Sequence, residues 1–404
     1  MPLDDIVLST LAAKGLTCAM ELRYYHIQKG QDPMSISKQG YLQQRKKLNP
    51  EVFVCLNREY LADFYASDEP VLWHGLLVFA IDGSKVEIPN SAENEITFGK
   101  MGNDRSQGQT RALVSGMHDL FNDFFLDIQI GCATDSEIEL AKQNILAFRE
   151  LMPDYPALVV FDRGYPSIVL IDFLESQGID YLIRLPSDDY KAERKAMRSN
   201  DEQVEIGHTS QRMIKIRARN PEVADKLKEK GVTRTRIVTF DLPGEKELVL
   251  MTSLPEKFYA QELADLYSMR WGIEKKFHTL KNKLKLESVT GKSSIYVYQD
   301  FWARMLVYNM IQDLSHAANR NIQEKACTKN YKNPVRSNEN MAIGLFMEEF
   351  IQLMLEQDSR KRKDRLLLLQ ESMEAYILPV RECRGSPRRH NTSNKYKNNQ
   401  KSSF

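Results

Sequence analysis

LLVFAID, residues 76 to 82, is an unbroken apolar run that stops at a carboxylate. A run of that length without alternation reads as a strand buried on both faces. Its counterpart, ALVVF at 157 to 161, stops at Asp162. Between them TRALVSGM (110 to 117) and FFLDIQI (124 to 130) read as strands joined by the turn residues DLFND. A helix is expected from Ser136, as cap, to about Leu151, with Glu137 and Glu139 in its first turn. A helix over 166 to 177 and a strand YLIRL (181 to 185) follow. Three strands, then helix, strand, helix, strand, predict an α/β fold: a mixed sheet with helices on its faces.

The two aspartates thus stand at the ends of the most apolar strands. A carboxylate that ends a strand is commonly structural. Here each is followed by glycine within two positions, Asp82-Gly83 and Asp162-Arg163-Gly164, where a sharp backbone turn would leave the carboxylate open to a ligand.

A third acidic candidate comes from YSMRWGIEKKFHTLK, residues 267 to 281. On a helix turning about 100° per residue, Tyr267, Arg270, Glu274 and Lys281 fall within an arc of roughly 60°. Leu266, Met269, Ile273, Phe277, Leu280 and Leu284 form a core-packing stripe beside them. An ordinary surface helix with an Arg270–Glu274 pair explains this segment equally well when it is taken alone.

Composition narrows the classes. The chain of 404 residues is 42% hydrophobic with a formal net charge of +1, which suits a globular protein of two or three domains. Global charge does not mark a nucleic-acid binder, so that role must rest on local basic patches. Cys18, Cys55, Cys132, Cys327 and Cys383 are scattered, without zinc-ligand spacing, and read as reduced thiols. The start lacks a signal-peptide pattern, and no stretch approaches the about 18 apolar residues of a membrane span. A cytoplasmic protein is expected.

Six regions are expected. Residues 1–70 read as helices, and a short one ending in Arg45, Lys46 and Lys47 is compatible with docking on a duplex or with a plain solvated face. Residues 71–185 carry the first part of the sheet. Residues 186–256 read as a β-strand insertion, with QRMIKIRAR (211 to 219) as an alternating strand that turns Lys215, Arg217 and Arg219 outward, and with a Pro243-Gly244 hairpin. Residues 257–320 bring the Glu274 helix and a second long helix. They also bring the densest cationic patch, Lys275, Lys276, Lys281, Lys283, Lys285 and Lys292. Residues 321–383 read as a linker and two helices, and 384–404 as a basic, disordered tail.

Three converging carboxylates suit Mg²⁺, which keeps several waters and is completed by phosphate oxygens. Two such ions about 3.5–4 Å apart serve an in-line displacement at phosphorus. A two-carboxylate glycosidase fits less well, since it needs no ring of lysines.

Tyr267, Arg270, Glu274 and Lys281 match the Y-x2-R-x3-E-x6-K signature of the insertion-sequence-four family of bacterial DDE transposases, and DGS at 82 to 84 and DRGY at 162 to 165 resemble its two aspartate blocks. The resemblance runs from about residue 76 to 320. It implies a ribonuclease H-like catalytic domain interrupted by the insertion, with Asp82, Asp162 and Glu274 catalytic and binding two Mg²⁺ ions, for which Mn²⁺ can substitute. It further implies a homodimer that cuts the inverted-repeat ends of its own element and joins them to target DNA. Tyr267, Arg270 and Lys281 would contact phosphates near the cut end, with Arg163 as a further candidate. In better-known relatives an aromatic of the insertion, often Trp, aids a hairpin intermediate. Trp73, Trp271 and Trp302 lie outside it here, so Phe240 or Tyr190 would have to serve. An endonuclease without strand transfer and a noncatalytic DNA-binding repressor are the alternative readings.

Overall fold

Strand β1 (Leu77–Glu87) sits in the middle of the sheet, and the apolar run seen in the sequence is its first half. The computed structural model describes residues 1–67, 70–102, 108–241, 247–329 and 331–380. The expected Pro243-Gly244 turn and the basic tail lie outside them. The described chain divides into two compact units, one of Met1–Asn57, Ile88–Asn94 and His278–Phe404, the other of Arg58–Glu87 and Glu95–Phe277.

The second unit holds a nine-stranded mixed sheet. Its strands are β1, β2 (Lys100–Met101), β3 (Gln109–Asp119), β4 (Phe125–Cys132), β5 (Ala157–Phe161), β6 (Asp180–Arg184), β7 (Asp201–Gly207), β8 (Val232–Phe240) and β9 (Leu248–Thr252). β3 pairs antiparallel with β1 along one edge and with β4 along the other, while β5 runs parallel to β1 and β6 parallel to β5. β9, β8 and β7 continue the sheet antiparallel. This mixed sheet flanked by helices is the α/β architecture expected from the order of the elements in the sequence.

Alternation along the central strands explains why they read as continuously apolar. Leu77, Phe79 and Ile81 of β1, with Val159 and Phe161 of β5, pack into one core against Ala141, Ile145 and Phe148 of the helix Glu137–Leu151 and Leu170 and Leu174 of the helix Ile168–Ser176. Val78, Leu158, Val160 and Leu182 point the other way, against Leu263, Leu266 and Tyr267 of the helix Ala260–Met269. With both faces covered, neither set of side chains can be polar.

Two local expectations are corrected. β1 does not end at Asp82; it runs on to Glu87, with Asp82 opposite Gly116 and Gly83 opposite Ser115 of β3. Only the fully buried part of the strand stops there. Residues 211–219 are not a strand but lie in the helix Ser210–Arg219, capped where the Thr209 side chain accepts from the Arg212 N–H. Met213 and Ile216, three apart, take its inner face, and Ile214 is left 67% exposed. The insertion is therefore mixed, with the helix Pro221–Lys230 next to this one, rather than all strand. The β8–β9 pairing does form as expected.

The first unit is helical, apart from a short antiparallel pair of Val335–Ser337 with Ile377–Pro379. Leu3–Leu11, Cys18–Gln28 and Lys38–Arg45 belong to it, the last capped by Ser37 accepting from the Gly40 N–H. The helix Ser294–Ala326 runs into the stretch expected to be a linker, and Glu339–Leu355 and Ser359–Ala375 follow. Among the described residues no helix is long and apolar enough to cross a membrane.

Candidate active site

Strand parity places Asp82 on the same face of β1 as Val78, the face covered by the helix Ala260–Met269. Asp162 follows directly on Phe161, so it leaves β5 on the side of Leu158 and Val160. The covering helix is interrupted at Arg270, where three-residue hydrogen bonds replace four-residue ones: the Arg270 N–H donates to the Tyr267 carbonyl and the Ile273 N–H to that of Arg270, both at 3.1 Å. A second segment, Trp271–His278, then carries Glu274.

These elements bring all three carboxylates to one guanidinium. Arg270 Nη1 lies 3.6 Å from Asp82 Oδ2, and Nη2 lies 4.0 Å from Asp162 Oδ2 and 3.3 Å from Glu274 Oε1. The Arg270 side chain is 5% exposed, against 20% for Asp82, 34% for Asp162 and 39% for Glu274. The Tyr267 hydroxyl donates to Asp162 Oδ1 at 3.1 Å. Sequence spacing thus placed Tyr267, Arg270 and Glu274 on a shared face correctly, but the first two are turned into the acidic cluster rather than spread on an open surface.

The cluster carries three carboxylates on one guanidinium, and its electrostatics register the excess. Burial pushes the Asp82 carboxyl up to about 6, with Glu274 and Asp162 adding to the rise and Arg270 and the Gly83 N–H opposing it. Burial alone would lower the Arg270 guanidinium, but Tyr267, Asp162 and Asp82 reverse that and hold it above its ordinary value. Arg270 Nε and Nη1 are nevertheless buried without a hydrogen-bond partner.

Those observations decide whether hard divalent cations fit. The donors are all carboxylate oxygens, the local charge is uncompensated, and no three acidic, imidazole or thiolate groups among the described residues stand close enough to share one ion. Carboxylate oxygens are the donors that Mg²⁺ takes, usually through one or two carboxylates with water and substrate oxygens completing the shell. Asp82, Asp162 and Glu274 fit as such ligands.

Glycine at 83 has a different reason from the one its sequence position suggests. It sits in a continuing strand, and a Cβ there would lie 2.8 Å from Cδ of Glu137, so Glu137 is a fourth carboxylate beside the cluster. Sequence reading treated Glu137 only as a first-turn acid. The helix bearing Glu274 is fastened two residues further on by Lys276, whose Nζ donates to Asp123 Oδ2 at 2.6 Å, and His118 Nε2 lies 3.1 Å from the other oxygen. Burial opposes ionisation of Asp123, but Lys276 and His118 hold its carboxyl well below the usual range.

The remaining sequence candidates scatter. Arg45 is corrected: it is 1% exposed, its Nε donates to Gln299 and its Nη2 is ion-paired with Asp300 at 2.5 Å, so it is an internal tie of the helical unit and offers nothing to a phosphate. Lys276 and Lys283 are likewise spent, on Asp123 and Glu339, which thins the expected cationic patch. Lys281 lies in the helical unit, on the turn Thr279–Lys283. Arg163 is exposed beside Asp162. Lys215, Arg217 and Arg219 are exposed, but on a helix, and Arg217 is paired with Asp225. Phe240 and Tyr190 are both half-buried and packed on the core. Sequence reading passed over a basic cavity of about 480 Å³ in the insertion, lined by Lys191, Arg194, Lys195 and Arg198 with Glu247.

The transposase DDE domain family matches residues 73–310, which include all three carboxylates. The chain is 27% identical over 249 residues to the transposase InsG for insertion sequence element IS4 of Escherichia coli (strain K12), a match covering 59% of this chain and 52% of that protein. It is 36% identical over 76 residues to the transposase for insertion sequence element IS421 of Escherichia coli, 18% of this chain and 20% of the other. A cryo-EM structure of piggyBac transposase in a synaptic complex with hairpin DNA aligns with 72% of this chain and 57% of its own at a TM-score of 0.40 and 11% identity. The chain thus spans about half the length of the first of these relatives. With more than half of its residues inside the family match, the chain belongs to the transposase DDE domain family.

Proposed function

We propose that the protein cuts DNA strands at the inverted-repeat ends of a bacterial insertion sequence and joins the freed 3′ ends to target DNA, within the YREK-signature group of its family. The observation that carries this reading is the gathering of Asp82, Asp162 and Glu274 around the single guanidinium of Arg270. In this reading the three carboxylates hold two Mg²⁺ ions, for which Mn²⁺ can substitute. Bound there, the ions supply activation of the attacking oxygen and stabilisation of the leaving one.

The chain's own residues do the rest. Arg270 holds the three carboxylates together before loading and limits their mutual repulsion. Tyr267 orients Asp162 through its hydroxyl. Arg163, exposed beside Asp162, would meet a phosphate of the cut end, and the basic cavity of the insertion, in the same unit, extends the phosphodiester track. Lys281 is a further phosphate contact in this reading. The protein works as a homodimer on paired ends, in the cytoplasm at the nucleoid.

End cleavage on a duplex carrying the element's terminal repeat tests the proposal. Asp82→Ala, Asp162→Ala and Glu274→Ala should each abolish Mg²⁺-dependent cleavage while end binding stays measurable. Unchanged cleavage in any one of them removes that residue from the site. Cleavage without joining of the 3′ hydroxyl to a second duplex would instead favour the plain endonuclease.

A further inference from the structure

The segment that carries Glu274 starts afresh at Trp271, after the break at Arg270. The helix Ala260–Met269 therefore does not by itself fix its direction, and its own contacts with the sheet have to. Two adjacent side chains make them. Phe277 is 4% exposed and packs on Phe125, with ring centroids 5.6 Å apart, and a Cβ at Gly116 would come within 3.0 Å of its ring. Gly116 is the residue paired with Asp82 across β1 and β3, and directly opposed residues of an antiparallel pair face the same side of the sheet. Phe277 is thus seated on the Asp82 face, at the strand position beside Asp82.

Lys276 makes the second contact, donating to Asp123 on the turn between β3 and β4. Asp123 has φ 61°, in the left-handed region where glycine is at ease and Asp and Asn are tolerated. Glycine would suit that backbone better but has no carboxylate to offer a lysine. The turn itself is firm. Buried Asp119 accepts from the N–H groups of Phe121 and Asn122 and from the Tyr65 hydroxyl, and its carbonyl accepts from the Asp123 N–H at 3.0 Å. His118, 3.1 Å from the second Asp123 oxygen, stands edge-on to Phe125 with 5.0 Å between centroids. Polar and apolar contacts therefore meet in one support, and its lysine is two residues from Glu274.

We propose that the Asp123–Lys276 ion pair positions Glu274 for cation binding, with Asp123 as the fixed point to which the Glu274 segment is latched. The proposal rests on the reading of Asp82, Asp162 and Glu274 as cation ligands. Both residues act through Glu274 and not as ligands themselves. A ligand is held at the productive distance only if its supporting residues are locked, and loss of such support typically weakens metal affinity about 10–100-fold.

The test uses the full chain with Mn²⁺ alone as probe. Lys276→Met combined with Asp123→Asn removes both charges at once, so neither is stranded, and asparagine still suits the left-handed turn. Calorimetric titration measures Mn²⁺ affinity, and urea unfolding in chelator measures stability. Expected in the double variant are an Mn²⁺ affinity about 10–100-fold weaker and an unfolding midpoint close to that of the wild type. Lys276→Arg, which keeps the cation, should bind Mn²⁺ as the wild type does. Unchanged affinity in the double variant overturns the proposal, and so does Lys276→Arg binding as weakly as the double variant. A midpoint that falls together with the affinity also overturns it, because the pair would then hold the fold rather than aim one side chain. No Mn²⁺ binding by the wild type, or wild-type affinity in Glu274→Ala, overturns the cation reading itself, a result distinct from failure at Asp123.

Discussion

Replacing Asp82 by asparagine should stabilise the metal-free protein at neutral pH, and the gain should vanish in acid. The Asp82 carboxyl rises from 3.8 to about 6, through burial first and then through Glu274 and Asp162. At about 1.36 kcal/mol per tenfold change in proton affinity, that rise withholds roughly 3 kcal/mol of folding free energy once the group is ionised. The unfolded chain gives up this proton near 3.8 and the folded chain near 6. Between those values the folded state binds more protons, so the Asp82 contribution falls as pH rises through the window and levels off above it. Asparagine has no proton to lose and can still accept from the Gly83 N–H through its amide oxygen, as Asp82 Oδ1 does at 3.0 Å. Asp127, also raised to about 6 by burial, titrates in both proteins and cancels in the difference. The assay is urea unfolding of both proteins in chelator across the window and up to neutral pH. The stability difference should widen in favour of Asp82→Asn by up to roughly 3 kcal/mol as pH rises. A difference that stays flat, or narrows toward neutral pH, would refute an uncompensated charge at the cluster.

Three further outcomes follow from the packing. Lys276→Met leaves the partly exposed Asp123 without its main cation and should lower urea stability by about 1.5–3 kcal/mol, most of it recovered in Lys276→Met combined with Asp123→Asn. Gly116→Ala sets a Cβ 2.9 Å from a Phe125 ring carbon and 3.0 Å from one of Phe277. That overpacking beneath the Glu274 helix should cost about 1–3 kcal/mol in the same measurement; a neutral effect would mean the two rings can part freely. Arg45→Ala should destabilise the helical unit by about 3–5 kcal/mol by stranding Asp300, while the salt dependence of DNA binding stays as in the wild type. A flattened salt slope would return Arg45 to the DNA surface.

Much of the fold was legible because local signals were unambiguous. Buried central strands must be apolar on both faces, so β1 and β5 declared themselves, and the carboxylates that follow their buried stretches stood out. Nine residues at 211–219 were not decisive, since Ile214, Ile216 and Ala218 satisfy a period of two while Met213 and Ile216 satisfy a helix. Thr209 and Asn220, whose side chains cap the helices Ser210–Arg219 and Pro221–Lys230, tip the balance.

The sequence by itself determined the order of the elements, the three carboxylates and the shared face of Tyr267, Arg270 and Glu274, because each rests on neighbours within a few turns of chain. Only the tertiary structure decided which charges are spent and which are free. Lys276 finds Asp123 from 153 positions away and Arg45 finds Asp300 from 255. A charge is neutralised by whatever the fold brings within a few ångströms of it, and separation along the chain carries no information about that distance.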